Sequence, residues 1–506
     1  MAISQPQVPP PGQPHDEEKA AHHHAHTSSS SDLGVTNTPT LTPPPPPVCP
    51  PHTTPRRITT KIDIHLVPFV IILYLMAFLD RVNIANARAF GLEADLGLTG
   101  TQYNTALTIF FVPYILCEIP SNILLKKISP RIWLSGCCIG FGFVTMMQGL
   151  VQNYAGILAT RFLLGLFECG MFPGCFYLLG MWYRRDEAQK RFSLFFSSTS
   201  LAGAFGGLLA SGLGSMDYMR GYRGWRWIFL IEGAATVVIG VIFLFTFPGF
   251  VEHAKWLRDD ERDYIKARLH ADQGHSAAER SITIRDVGKV MSDYKVWLGG
   301  FMYFGIIVPA YSYAYFSPTI VQSYGYDKIQ TQLHSVPPWA AAFVFAMIIA
   351  TASDWLKHRF LFTVVPICIS ISGFAILLNV TDNLPVQYAA LFLICMGMYS
   401  AMPIQVCWFN MNLGGHHRRA VGSAWQIGFG NIGGIIATYS FIGGDFRKGY
   451  IICVSFICLS ALSCILYAMA IVAENKKKAK QPLDVGLTEH EKSELGDLNP
   501  EFKYML

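Results

Sequence analysis

The sequence predicts an all-α membrane protein with twelve transmembrane helices arranged as two six-helix bundles. Three observations predict it. Of the 506 residues, 51% are hydrophobic and only 14% are charged, whereas soluble globular chains carry about 25% charge. The apolar residues collect in runs of roughly 20, the length a helix needs to cross a hydrocarbon core of about 30 Å. Those runs also fall into two sets of six on either side of the longest internal polar stretch.

The runs cover about 64–86, 103–125, 132–151, 157–181, 192–214, 225–247, 296–321, 337–356, 360–379, 386–408, 420–442 and 449–472. Each is predicted to be a helix, because a lone segment in lipid must satisfy its own backbone hydrogen bonds. A membrane barrel would show alternating segments of about ten residues, and none is seen. The first bundle is therefore placed at 61–248 and the second at 296–473. Residues 1–60 hold Pro43 to Pro47, His22 to His24 and Ser28 to Ser31. They are predicted to form a disordered cytosolic tail with no signal peptide. Residues 474–506 read as a second cytosolic tail, opening with Lys476, Lys477 and Lys478. The central loop, 249–295, contains Trp256 to Arg262, which reads as a short amphipathic helix.

Orientation follows the Lys and Arg count. With both ends in the cytosol, the short inner loops carry Lys126, Lys127, Arg131, Arg184, Arg185, Lys190, Arg191, Lys357, Arg359, Arg418 and Arg419. The outer loops carry Arg220, Arg223, Arg226, Lys328, Arg447 and Lys448, a smaller set. In this topology the Asn379-Val380-Thr381 sequon falls at an outer loop, making Asn379 a candidate glycosylation site close to the membrane. Ser121-Asn122 before Lys126-Lys127 recurs, at a constant offset, as Ser353-Asp354 before His358-Arg359. That echo fits a duplicated bundle with latches in the inner loops, and equally fits ordinary positive-inside flanks.

Net charge is only +5, too mild for a nucleic-acid partner. Paired-His metal motifs, nucleophile elbows and Gly-rich phosphate loops are not found in the sequence, so neither an enzyme nor a cofactor or metal site is predicted. Eleven of the twelve cysteines lie in or beside apolar runs and read as small buried hydrophobes.

Charges inside apolar runs are costly, and they mark candidate sites. Asp80 and Arg81 lie near the end of run one, beside Asn83 and Asn86. Two readings stand for Asp80: a buried coupling carboxylate, or a hydrated interfacial residue closing its helix. Arg161 and Glu168 lie deeper, in run four, seven residues apart on one helix face. They read either as functional groups or as an ion pair bracing the bundle. Arg81 offers a planar fork suited to a substrate carboxylate, with Asn83 beside it. Asp80 and Glu168 offer carboxylates for proton coupling, each near an arginine. Gln405, Gln426, Asn431 and Tyr311 are candidate neutral substrate contacts from the second half, as are Asn410, Tyr313 and Trp408. Each of the amides could instead pin helices together.

The motifs Leu79 to Ala87, Pro120-Ser121-Asn122, Arg161 to Glu168 with Phe172-Pro173-Gly174, and Gly224-Trp225-Arg226-Trp227 with Glu232-Gly233 carry a family resemblance over about 61–473. The chain resembles the major facilitator superfamily and, within it, the anion:cation symporter family. The fungal allantoate, nicotinate and pantothenate permeases form the most similar branch. Asn122 stands where the superfamily's usual loop motif has Asp. The resemblance implies the major facilitator fold and proton-coupled uptake of a small organic anion. Nicotinate-type pyridine carboxylates, allantoate and other vitamin-like carboxylates are the implied substrates. It also implies that Asp80, Arg81, Arg161 and Glu168 serve in binding and coupling. The predicted partners are therefore the anion, the proton and the lipid bilayer, and the predicted state is a monomer. The plasma membrane is the expected compartment, with the vacuolar membrane as alternative. An exporter of a secondary metabolite or toxic acid is the competing function.

The orientation is testable. Tags at the two chain ends should both be shielded from external protease in intact cells, and cleavage of either tag would overturn the assigned topology.

Overall fold

The computed structural model describes residues 49–273, 283–414, 416–442, 445–480, 497, 499 and 502–506. Most of the predicted disordered tail, residues 1–48, therefore lies outside the described residues. The membrane helices are α1 (Pro55–Ala89), α2 (Gly100–Lys127), α3 (Pro130–Gly149), α4 (Tyr154–Trp182), α5 (Arg185–Gly214) and α6 (Gly224–Thr246). The second half supplies α7 (Tyr294–Gln322), α8 (Lys328–Leu356), α9 (Arg359–Asn379), α10 (Leu384–Met411), α11 (His416–Tyr439) and α12 (Phe446–Lys478). Eleven of them are long and apolar enough to cross a membrane. The exception is α11, whose run carries Gln426, Asn431 and the glycines 422, 428, 430, 433 and 434. Its low hydropathy fits its position, since it packs between α7 and α2.

Local chemistry sets the helix limits. α1 starts at Pro55, inside the segment predicted to be a tail, because Thr54 accepts a hydrogen bond from the Arg57 amide and Pro55 occupies the first turn. α4 is broken between Glu168 and Met171. Pro173 has no N–H to give the Cys169 carbonyl, and Gly170 lies against Ser121 of α2, where a Cβ would be 2.1 Å from its hydroxyl. The helix expected over Trp256–Arg262 instead runs from Asp259 to Gln273. Asp259, Asp260 and Glu261 fill its first turn, where negative charge favours a helix start. A further helix, Ile284–Met291, has no counterpart in the sequence reading.

One set of pairings recurs in both halves. α1 packs on α5, α2 on α4, and α3 on α6; correspondingly, α7 packs on α11, α8 on α10, and α9 on α12. Two six-helix bundles of like design result, as a duplicated unit gives. Between the halves α5 meets α8, α2 meets α11 and α1 meets α7. The first two contacts exchange under the same correspondence.

The end of the molecule holding Lys61 and Lys478, called inner below, is strapped half by half. Lys61 Nζ lies 2.6 Å from Glu261 Oε1, and Arg268 pairs with Glu187 at 2.5 Å. Burial alone would raise the Glu261 carboxyl, but the bonds from Lys61 and from the Arg258 amide outweigh it and hold the group below the ordinary range. Under the second half, the stretch read as a polar tail is docked. Arg418 pairs with Asp497, Lys295 Nζ donates to the Tyr504 hydroxyl at 2.7 Å, and Trp408 Nε1 donates to the Met505 carbonyl at 2.9 Å. Arg359 pairs with Asp354 at 2.6 Å and donates to the Ser353 hydroxyl, so the loop 8–9 latch closes on itself.

Close approach depends on glycine. At Gly165 a Cβ would lie 2.1 Å from the Phe110 carbonyl oxygen of α2. Gly165→Ala is expected to force α2 and α4 apart and to lower the thermal stability and yield of the purified protein. Gly136→Ala, where a Cβ would meet nothing within 4 Å, is expected to be neutral or stabilising by up to about 1 kcal/mol. Equal melting temperatures for the two variants would overturn this packing argument.

Candidate functional site

The ionisable residues of α1 and α4 meet in the interior. α1 carries Asp80 and Arg81 as successive residues, so their side chains leave the helix about 100° apart and reach different neighbours. Arg81, 2% exposed, points toward α4 and α7. Its Nε and Nη2 both donate to Glu168 Oε2, at 2.9 and 2.6 Å, and its Nη1 donates to the Tyr311 hydroxyl at 2.5 Å. One guanidinium thus bridges the two halves of the molecule. Phe110 and Tyr114 of α2 pack on it, with ring centroids 4.9 and 4.8 Å from its central carbon. Buried cation–π contacts of this kind contribute up to about 2 kcal/mol.

The brace between Arg161 and Glu168 that their spacing allowed is replaced by this pair. The break in α4 directly after Glu168 accompanies a carboxylate aimed at α1. Arg161 is also buried. Its Nη1 donates to the Arg81 carbonyl at 3.0 Å, whereas its Nε and Nη2 have no hydrogen-bond partner among the described residues. Glu168 Oε1 is likewise without one. The centre therefore holds two guanidiniums, one engaged through all three nitrogens and one with donors to spare.

Asp80 is fully buried, which excludes the hydrated interfacial reading. It lies beside the hydroxyls of Thr145 on α3 and Thr236 on α6. The Thr145 hydroxyl also reaches the Phe141 carbonyl and the Thr236 hydroxyl reaches Met76 Sδ, so each can turn its single proton to either acceptor. Asn83 is committed within the first half: its Nδ2 donates to Glu232 Oε2 of α6, and its Oδ1 accepts from Asn86 at 3.1 Å.

The second-half candidates divide. Tyr311 reaches the centre, stacked on Tyr315 at 5.8 Å and set edge-on to Phe111 at 5.2 Å. Gln405 instead ties α10 to α12 through the Ser460 hydroxyl at 2.8 Å and Cys464 Sγ at 3.2 Å. Gln426 ties α11 to α10 and α7 through Asn410 and the Gly299 carbonyl. Both amides pin helices, and the structure does not bring them to Arg81. Asn431 is buried in α11. Tyr313 packs on Trp339, and Trp408 binds the docked stretch at the inner end. Asn379 is exposed at the end of α9, its amide donating to the Ala375 carbonyl.

Two buried carboxylates were missed as site candidates. Glu232 sits in the apolar stretch of α6, and Glu118 of α2 faces Gly428 of α11 across the seam between halves. A single acid in an apolar run was the available signal in both cases.

At the outer end the seam is tied by Thr108 and Thr438, 2.6 Å apart, and by Trp339 lying over Gly203. Toward the inner end Cys407 of α10 lies against Ser193 of α5.

Comparison with known proteins adds to this geometry. The Major Facilitator Superfamily pattern matches residues 70–438. The chain is 33% identical to the MFS-type transporter cnsO of Penicillium expansum, over 89% of this chain and 90% of that protein. It is 31% identical to the high-affinity nicotinic acid transporter of Saccharomyces cerevisiae, over 90% and 86% respectively. Among solved structures, it resembles a bacterial homologue of the human lysosomal transporter Spinster in an inward-facing, occupied conformation. That likeness has a TM-score of 0.59 at 15% identity and covers 83% of this chain and 97% of the other.

The hydrogen bond from Arg81 to Tyr311 joins the halves in a buried setting, where a bond to a charged group contributes about 1.5–3 kcal/mol. Tyr311→Phe is expected to lower the melting temperature of the purified protein. An unchanged melt would show that the bond does not hold the two halves together.

Proposed function

We propose, on the premise that the chain belongs to the major facilitator superfamily, that this multi-pass membrane transporter takes up a small organic anion together with a proton by alternating access. The observation that carries the reading is the unequal use of the two buried arginines. Arg161 keeps two donors without a partner, while Arg81 is held by Glu168 and Tyr311. A substrate carboxylate can bind the spare donors of Arg161. It can gain the fork of Arg81 only if Glu168 lets go.

A proton on Glu168 removes the charge that binds it to Arg81. Anion and proton then favour the same state, which is the requirement for symport. Breaking a buried ion pair costs about 3–5 kcal/mol when one partner is left bare. Exchanging one carboxylate for another at Arg81 offsets that cost. Release of Tyr311 frees the halves at the same point, so binding and rocking are linked. Related organic-anion symporters use the corresponding aspartate, arginines and glutamate in this way, as the sequence resemblance implies, and Asp80 would share the coupling.

The rings of Phe110, Tyr114 and Tyr311 around the guanidinium suit a flat acid. This favours a nicotinate-type pyridine carboxylate over allantoate and other vitamin-like carboxylates, and the resemblance to a nicotinic acid transporter supports it. A monomer in the plasma membrane is the form proposed.

The test is uptake of labelled carboxylates by cells expressing the protein, at neutral and acid external pH and normalised to surface amount. Accumulation stimulated by acid is expected; net loss from preloaded cells would make the protein an exporter instead. Arg81→Lys keeps the charge but loses the bidentate fork, and uptake should fall at least about tenfold, or about 1.4 kcal/mol. Glu168→Gln should flatten the pH dependence per surface molecule. A retained pH dependence would remove Glu168 from the proton path.

A further inference from the structure

Arg88 is a cation of α1 that the proposed binding step does not use. It follows Arg81 by seven residues, so it stands two turns, about 10 Å, outward on the same face. On α2, which runs the opposite way, Tyr103 precedes Phe110 by the same seven residues. The faces that meet at Arg81 therefore meet again at the outer end. The central carbon of Arg88 lies 4.5 Å from the ring centroid of Tyr103 and 5.9 Å from that of Phe316 on α7. Both arginines thus sit between a ring of the first half and a ring of the second.

Each arginine also has a carboxylate, but the two pairs differ in hold. The side chains of Arg81 and Glu168 are 3% and 0% exposed, whereas those of Arg88 and Glu93 are 22% and 28% exposed. Arg88 Nε lies 3.1 Å from Glu93 Oε2, and Glu93 Oε1 has no hydrogen-bond partner among the described residues. Arg88 Nη1 and Nη2 donate no hydrogen bond among the described residues. A partly exposed pair of this kind is weak, so its arginine changes partner readily. The other acid nearby, Asp95, is taken by Arg226 and by Trp225 Nε1. Inward of Arg88, Tyr103 also lies beside Arg161, and Arg161 beside Tyr315. Arg161 in turn donates to the Arg81 carbonyl, which points outward along α1. The guanidiniums of Arg88, Arg161 and Arg81 therefore succeed one another from the outer end to the centre.

We propose that Arg88, held on Tyr103 and covered by Phe316, is an outer receiving site for the carboxylate of a small organic acid, one stage outward of Arg161 and Arg81. The inference rests on the anion-uptake reading above and adds where the anion first binds. Tyr103 and Phe316 belong to opposite halves, so parting of the halves at this end takes Phe316 away and uncovers the guanidinium. The incoming carboxylate then replaces Glu93 and gains the fork of Nη1 and Nη2, which suits two carboxylate oxygens. A fixed positive charge at the mouth of the path also gathers anions there. From Arg88 the next donors inward are the spare ones of Arg161. No covalent bond is made or broken in the transfer.

The experiment is uptake of labelled nicotinate by cells expressing the full-length protein, with KM measured for the parent and for both partners of the outer pair. Arg88→Gln should raise KM about fivefold or more, through lost binding. Glu93→Gln removes the competing carboxylate and should lower KM about twofold or more. The opposite signs are the signature. A pair that merely braces the end of α1 would lower surface amount in both variants and leave KM alone, and KM values unchanged, or shifted in the same direction, overturn the proposal. If Arg88→Gln does not reach the surface, Arg88→Lys takes its place. It keeps the charge and loses the fork, so KM should still rise, and a KM equal to the parent's overturns the proposal. A parent that does not accumulate nicotinate refutes the uptake reading. The site is then decided by nuclear magnetic saturation transfer from the purified Arg81→Lys protein to nicotinate, where the central fork is gone. Transfer should be seen there and should be lost when Arg88→Gln is added. Its absence at the start, or its persistence after that change, overturns the receiving site, so the two failures are distinguishable.

Discussion

A guanidinium buried in a membrane protein must have its charge and its five donors answered from within, because lipid offers neither water nor counter-ions. Arg81 meets this demand by drawing on three other helices. Its position on α1 is answered by Glu168 of α4 and Tyr311 of α7, while α2 lays Phe110 and Tyr114 on it. The Arg81 backbone is also engaged, since its carbonyl accepts from Arg161. The centre of the molecule is thus arranged around one side chain, and the two halves are joined through it.

That arrangement reaches back into the packing. α2 can bring its rings to Arg81 only because α4 offers Gly165 at the crossing, where any Cβ would strike the Phe110 carbonyl. The break in α4 after Glu168, set by Gly170 and Pro173, comes one residue past the carboxylate that Arg81 requires. On the far side of α1, Asn83 is held by Glu232 of α6, and Gly233 next to it allows α3 and α6 to touch. Small residues therefore decide where costly ones can meet.

The inner end shows a complementary economy. Lys61 with Glu261 and Arg268 with Glu187 strap the helix Asp259–Gln273 to the first half. Asp497, Tyr504 and Met505 strap the docked stretch to the second. Each of these straps begins and ends in one half. None of these straps crosses the seam, so the halves are joined elsewhere, at Arg81, at the Thr108–Thr438 contact and between α5 and α8.

Much of the molecule was legible beforehand. Runs of about 20 apolar residues compel helices, because backbone groups in lipid have no other partners; low charge compels a membrane. Asp80, Arg81, Arg161 and Glu168 were visible because a charge in such a run needs a reason, and the same logic applied to every acid would have exposed Glu232 and Glu118. The partners of these charges were not legible. Spacing along one helix set Arg161 and Glu168 on a common face, yet Glu168 bonds to Arg81, 87 residues away in the chain. Gln405 and Gln426 were open to two readings, substrate contact or helix pin, and each bonds to a neighbouring helix. Asn83, a substrate-contact candidate beside Arg81, bonds to Glu232. Periodicity fixes the direction in which a side chain leaves its own helix. Which group it meets depends on the distance and tilt of another helix, and those are set by glycines, breaks and packing that only the assembled bundle reveals.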